Sequence, residues 1–183
     1  MGKPCEPPPV KLLMSLITGE EACLHQALEA LKEGFGEIDF VSERLRFDFT
    51  NYYAQEMGEN LFRHFITFKP LISRETLPDI KWSTNRLEER LADPNGRRRI
   101  NIDPGYLCHA HMILATTKAY SHRPYLRRGI YADLTLLYRN QSFQPFEWTY
   151  PDYRQVETIQ LFNHLRKRYL DQIRSREGMD ERC

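Results

Sequence analysis

The sequence predicts an α+β domain: a ferredoxin-like β-α-β-β-α-β sandwich extended by a C-terminal β-hairpin and a long terminal helix. Apolar or alternating runs of strand length are interleaved with segments whose apolar residues recur every three or four positions, in the order of a split βαβ unit. The composition agrees. With 41% hydrophobic, 12% aromatic and 28% charged residues and a net charge of +1, the chain is a packed globule, neither disordered nor a basic coat for nucleic acid. A length of 183 residues suits one core better than two. A single domain is expected over residues 1–175, followed by a frayed polar tail over 176–183.

Residues 11–17 are a continuous apolar run, the mark of a central strand covered on both faces. Thr18 and Glu21 make a capping box, Leu24, Leu28, Leu31 and Phe35 keep helical spacing, and Gly34 and Gly36 provide the stop. Val41, Leu45, Phe47 and Phe49 alternate with other residues, and residues 61–69 form a second strand-like run. The two are expected to pair through the loop at 51–58. Thr76, Pro78 and Asp79 announce the next helix, with Leu77, Ile80, Thr84, Leu87 and Leu91 on its buried side, and residues 93–96 end it. Residues 99–106 complete the β-α-β-β-α-β order. Two further strands follow at 112–120 and 129–139, then an extended piece at 142–146. Thr149, Pro151 and Asp152 repeat the helix-start signal, and Phe162, Leu165, Tyr169 and Ile173 line the last helix.

Cys5, Cys23, Cys108 and Cys183 form no CxxC pair, so reduced thiols are expected rather than a zinc knuckle or a disulfide framework. No run approaches the roughly 18 apolar residues of a membrane span. Residues 1–9 lack a signal core, and Glu6 stands where a myristoylation signal has Ser or Thr, so a cytoplasmic protein is expected. Charge is divided unevenly: 15 Lys+Arg against 9 Asp+Glu from Arg97 onward, and 11 against 16 before it. Anionic ligands should prefer the C-terminal half.

The candidate site is a set of polar residues inside strand-like stretches. In residues 100–103 the apolar Ile100 and Ile102 point one way, so Asn101 and Asp103 point the other; after Gly129, Tyr131, Asp133 and Thr135 share a face opposite Ile130, Ala132 and Leu134. Thr117 and Lys118 lie within the intervening strand expected at 112–120, with His122 and Arg123 in the loop after it. Charges within strands are costly unless partnered. Asp103, Asp133 and Lys118 are therefore the candidate catalytic residues, and Asn101, Thr117, His122, Arg123 and Tyr131 the candidate ligand-binding ones. Against this, Asp103 before Pro104 and Gly105 is good turn chemistry, and His122 and Arg123 precede Pro124 in a connection. Arg97, Arg98 and Arg99 read as a solvated corner, Tyr52, Tyr53 and Glu56 as a packed loop, and Tyr150 to Tyr153 as helix initiation. His109 and His111 with Cys108 and His122 complete no standard ligand set, so no metal site is assigned to them, while Asp103 and Asp133 are candidates for acid, base or metal-ligand roles. No cofactor is indicated.

The residues Asn101 to Leu107, then Leu114 to Lys118, then His122, Arg123, Tyr125 and Leu126, then Gly129 to Ala132, with Tyr150 to Tyr153, resemble an uncharacterised bacterial and archaeal family of unknown function. The resemblance spans nearly the whole chain. Members are often labelled GTP-binding, and the resemblance implies no established catalytic residues. Neither GxxxxGK[ST] nor GxGxxG occurs, so a nucleotide would bind at an unconventional site. Two readings follow. One is a small enzyme or ligand-responsive protein that takes an anionic, phosphorylated or nucleotide-like small molecule, with no membrane attachment. The other is a non-catalytic binding or assembly module for a protein partner or, less favoured, RNA, using Arg97 to Arg99 and Arg166 to Arg168.

Overall fold

The computed structural model describes residues 2–48 and 53–180. Phe49, Asn51, Tyr52 and Cys183, which entered the expectations above, lie outside the described residues. The strands are β1 (Val10–Thr18), β2 (Ile38–Val41), β3 (Leu45–Arg46), β4 (Phe62–Ile72), β5 (Ile100–Leu107), β6 (His111–Thr116), β7 (Tyr125–Arg127), β8 (Ile130–Arg139) and β9 (Ser142–Pro145). Among the described residues they form one sheet in the order β2-β4-β1-β5-β6-β8-β7, with β3 also on β4 and β9 also on β8. Every pairing is antiparallel. Helices α1 (Glu21–Phe35), α3 (Leu77–Leu91) and α4 (Val156–Asp180) pack on it, and α2 (Ala54–Met57) is a single turn.

Two cores explain the layering. On one face Leu12, Met14 and Leu16 of β1 meet Leu24, Ala27 and Leu31 of α1 and Ile80 and Leu87 of α3. On the other, Leu13, Phe65, Leu107 and Met112 meet Phe162, Leu165 and Tyr169 of α4. Strand alternation assigns successive residues of β1 to opposite faces, so the run is buried on both, with Lys11 and Ser15 included. α4 continues to Asp180, so part of the expected tail is helical.

Several expected elements take a different local form. Thr18 is the last residue of β1, not a helix cap: its hydroxyl donates to the Arg99 carbonyl at 2.8 Å and accepts from Glu20 N–H at 3.0 Å. The alternating run after Gly36 divides into β2 and β3 because Ser42 takes over one step of the ladder. Its N–H donates to the Phe65 carbonyl and its hydroxyl accepts from Phe65 N–H. The strand expected at 112–120 stops at Thr116, and an additional strand, β7, forms beyond the loop. Pro151 opens a 3-10 turn (Pro151–Arg154) ahead of α4, with Asp152 paired to Arg63 instead of capping the helix.

Pro104 and Gly105 form no turn; they lie inside β5, opposite Met14 and Leu13 of β1. β6 pairs with β5 only from Gly105 to Leu107. Ile102 turns both backbone polar groups away from β1, where α3 receives them, so by alternation the position of Pro104 also faces the β6 side. Proline has no N–H to give there. The two strands therefore part at Pro104, and a cleft opens between them. Gly105 is the last point of close approach: a Cβ at this position would stand 2.3 Å from the Ile113 carbonyl oxygen. Gly105→Ala should therefore lower unfolding stability by about 2–4 kcal/mol in urea titrations. A variant as stable as the wild type would contradict this account of the strand junction.

Candidate functional site

The cleft has a volume of about 670 Å³. One wall is β5, from which Asn101 and Asp103 face in; another is the end of β6 and the residues after it, from Leu114 to Lys118. Asp133 enters from β8, Lys81, Asn85, Glu88 and Glu89 from α3, and Tyr150 to Tyr153 from the turn before α4. The register explains the convergence: Ser15 pairs with Asp103, Gly105 with Leu114, and Leu114 with Asp133, so the two aspartates share one sheet face.

α3 closes the edge that β6 leaves open. Lys81 Nζ donates to the Ile102 carbonyl at 3.0 Å and to Asp103 Oδ1 at 3.1 Å, while Glu88 Oε1 accepts from Ile102 N–H at 2.6 Å. Two side chains thus do for β5 what a neighbouring strand does elsewhere. Asn101 Nδ2 donates to Asp103 Oδ2 at 2.6 Å, and its carbonyl accepts from Arg98, which also binds Glu56. Burial acts to raise the Asp103 carboxyl, but Lys81 and Asn101 outweigh it and hold the group below the ordinary carboxylate range. For Glu88 burial wins, and its carboxyl is pushed up to about 7 against the pull of Lys81 and the Ile102 N–H. The cleft therefore holds two carboxyl groups with separated proton affinities, one ionised at neutral pH and one able to exchange a proton there.

A buried ion pair supports the opposite side. Arg123 Nε and Nη2 close on Asp133 Oδ2 at 2.8 and 2.7 Å, with both side chains about 95% buried or more. The same guanidinium donates to the Lys118 carbonyl at 3.1 Å and to the Tyr150 hydroxyl at 2.9 Å. Arg123 therefore stands behind the cleft and fixes three of its parts. Deeper still, the Arg63 guanidinium contacts Asp152 and lies 4.8, 5.4 and 5.0 Å from the rings of Phe47, Phe65 and Tyr153.

Of the residues singled out from sequence, Asn101, Asp103, Thr117, Lys118 and Asp133 line the cleft. His122, Arg123 and Tyr131 are not among its lining residues. His122 stacks on Trp148 at 5.0 Å and lies 4.0 Å from Asp133, and Tyr131 packs edge-on against Tyr125 at 5.3 Å. Sequence reasoning missed Lys81, Glu88 and Arg63. Lys81, Asn85 and Glu88 recur at four and three residues beside the apolar side of α3, and Arg63 is a charge inside a strand, the same signal that marked Asp133. The turn at Tyr150 to Tyr153, read as helix initiation, forms a wall of the site.

Of the arginine run, read as a solvated corner, Arg97 pairs with Asp93 at 3.1 Å and Arg99 with Glu20 at 2.5 Å outside the cleft, whereas Arg98 lines it together with Tyr53 and Glu56 of the expected packed loop and bonds Glu56 at 2.6 Å. Arg166 donates to the His109 carbonyl and Arg168 to that of Asp39, which ties α4 to the sheet. Among the described residues no three His, Cys, Asp or Glu side chains are grouped to hold a metal ion, and no helix is long and apolar enough to cross a membrane.

These features define an antiparallel α+β protein with a charged cleft at a break in its sheet. The chain belongs to the family described as a domain of unknown function, DUF4416, which matches residues 8–169. No curated protein matches the chain, and no solved structure does.

Replacing Arg123 by Met strands the buried Asp133 carboxylate, and we expect a loss of about 3–5 kcal/mol in urea denaturation, with Arg123→Met/Asp133→Leu recovering part of it. A double variant no better than the single one would show that the charge pair is not what Arg123 supplies. Glu88 gives a pH signature. Its carboxyl holds a proton more tightly folded than unfolded, so its contribution to stability is complete below about 4.5 and is lost as pH rises toward 7. Glu88→Gln keeps an acceptor for Ile102 N–H and removes this titration. The variant should gain on the wild type between pH 5 and 8, by at most about 3 kcal/mol, in thermal unfolding across pH. A constant difference at all pH values would refute the assignment.

Proposed function

We propose that the protein binds a phosphorylated, nucleotide-like small molecule in the cleft between β5, β6 and α3, and that Asp103 and Glu88 handle protons there. The observation that carries this reading is convergence: polar side chains from four strands, the helix α3 and a turn meet in one cleft of ligand size. Both signs of charge are present. Carboxylates from β5 and α3 suit the hydroxyl donors of a sugar, and Lys118, in the loop just past the end of β6, suits a phosphate. A group titrating near neutrality beside a firmly ionised one suits general acid–base chemistry.

The order β2-β4-β1-β5, with α1 and α3 sharing one core, supports a ferredoxin-like reading of the first half of the chain. Free, buried Cys23 and Cys108 support a reducing, cytoplasmic setting.

Thermal unfolding with GTP, ATP, sugar phosphates and inorganic phosphate, each with and without Mg²⁺, tests the reading. A true ligand at a hundredfold excess over Kd should raise Tm by about 5–10 °C, and Lys118→Ala should weaken it about tenfold. If no phosphate compound raises Tm at millimolar concentration, the proposal fails.

A further inference from the structure

The charged groups of the cleft suit an anion and hydroxyls, but they leave its aromatic side chains unexplained. Phe47 and Tyr153 border the cleft yet are buried, and their contact with the Arg63 guanidinium makes them part of the core. Tyr150 is different. Its side chain lines the cleft and is 42% exposed, but it is not loose, because its hydroxyl is held by Arg123 at 2.9 Å and its ring lies 6.4 Å from that of Tyr153. The same guanidinium holds the Lys118 carbonyl at 3.1 Å. One buried cation therefore sets an exposed phenol ring and the backbone of a cleft lysine in fixed relation to each other. Across the site Tyr53 adds a second ring, packed 5.9 Å from Phe47 and with the Arg98 guanidinium 5.6 Å from its centroid.

A phenol ring held in place at the wall of a polar cleft offers an apolar face that a ligand can cover, with gain from the area removed from water. An oriented aromatic ring is also what a planar heterocycle stacks on, whichever base it carries, since every base has a π-face. Resting on the phosphate-ligand reading above, we infer that the ligand is a mononucleotide, its base packed against Tyr150 and its phosphate directed to Lys118. The carboxylates of Asp103 and Glu88 then face the sugar, where hydroxyls donate to them. Arg123 is a positioning residue in this scheme, since it acts through Tyr150 and Lys118.

Calorimetric titration of the full chain with AMP, GMP, UMP, ribose 5-phosphate and inorganic phosphate decides the matter. At least one mononucleotide should bind about tenfold more tightly than ribose 5-phosphate. Tyr150→Leu should erase most of that margin while leaving ribose 5-phosphate affinity within about twofold, and Tyr150→Phe, which keeps the ring, should retain most of it. Ribose 5-phosphate binding as tightly as every mononucleotide overturns the ring subsite while the phosphate-binding cleft survives. An undiminished margin in Tyr150→Leu, or its complete loss in Tyr150→Phe, overturns it too. Should Tyr150→Leu fail to fold, the wild-type ligand series and Tyr150→Phe still decide. If neither nucleotides nor sugar phosphates bind at millimolar concentration, both readings fall together.

Discussion

At Pro104 the fifth strand loses a backbone donor on the side facing β6, and from there to Ile100 no strand among the described residues pairs with that edge. A strand in mid-sheet with an unpaired edge is ordinarily unfavourable, because each buried N–H and C=O needs a partner. α3 supplies those partners. Lys81 and Glu88 bracket Ile102, and the helix that covers one face of the sheet also seals the seam where the sheet divides. The cleft follows from this arrangement, since the space that β6 would have filled becomes a cavity with polar walls.

The same substitution explains the electrostatics. Burial in the seam draws the Glu88 carboxyl toward its neutral form, to about 7, even though Lys81 and the Ile102 N–H pull the other way. Asp103, one residue beyond the backbone that Glu88 and Lys81 bracket, takes the Lys81 ammonium and the Asn101 amide and stays ionised. On the far wall Arg123 plays the corresponding part with opposite sign, satisfying Asp133 while orienting Lys118 and Tyr150. The polar residues of the site are thus structural and chemical at once. Those that hold the seam together also shape what the cavity can accept.

Much of the fold was legible because hydrophobic period is a local property. The run at β1, the helical spacing in α1 and α3, and the apolar stripe of α4 each show in neighbouring residues. Alternation set Asp103 and Asp133 each on the polar side of its own strand, and mid-strand charge marked both; that the two sides form one sheet face followed only from the register. The same rule applied to Arg63 or to the stripe of Lys81, Asn85 and Glu88 would have found the remaining walls. Local turn chemistry misled where tertiary contacts offered better partners. Thr18 bonds Arg99, Asp152 pairs with Arg63, and Pro104 with Gly105 runs on inside a strand.

By itself the sequence determined where the main strands and the three long helices fall, which of their faces are apolar, and that charged side chains stand where burial makes them costly, because these depend on spacing along the chain. Only the tertiary structure decided that β5 and β6 part company, that α3 replaces the missing ladder, and that Arg123 lies behind the cleft instead of within it. Those outcomes depend on which distant group reaches a given N–H, carbonyl or carboxylate first. Lys81 and Ile102 are 21 residues apart and Arg63 and Asp152 farther still, a competition that no local pattern encodes.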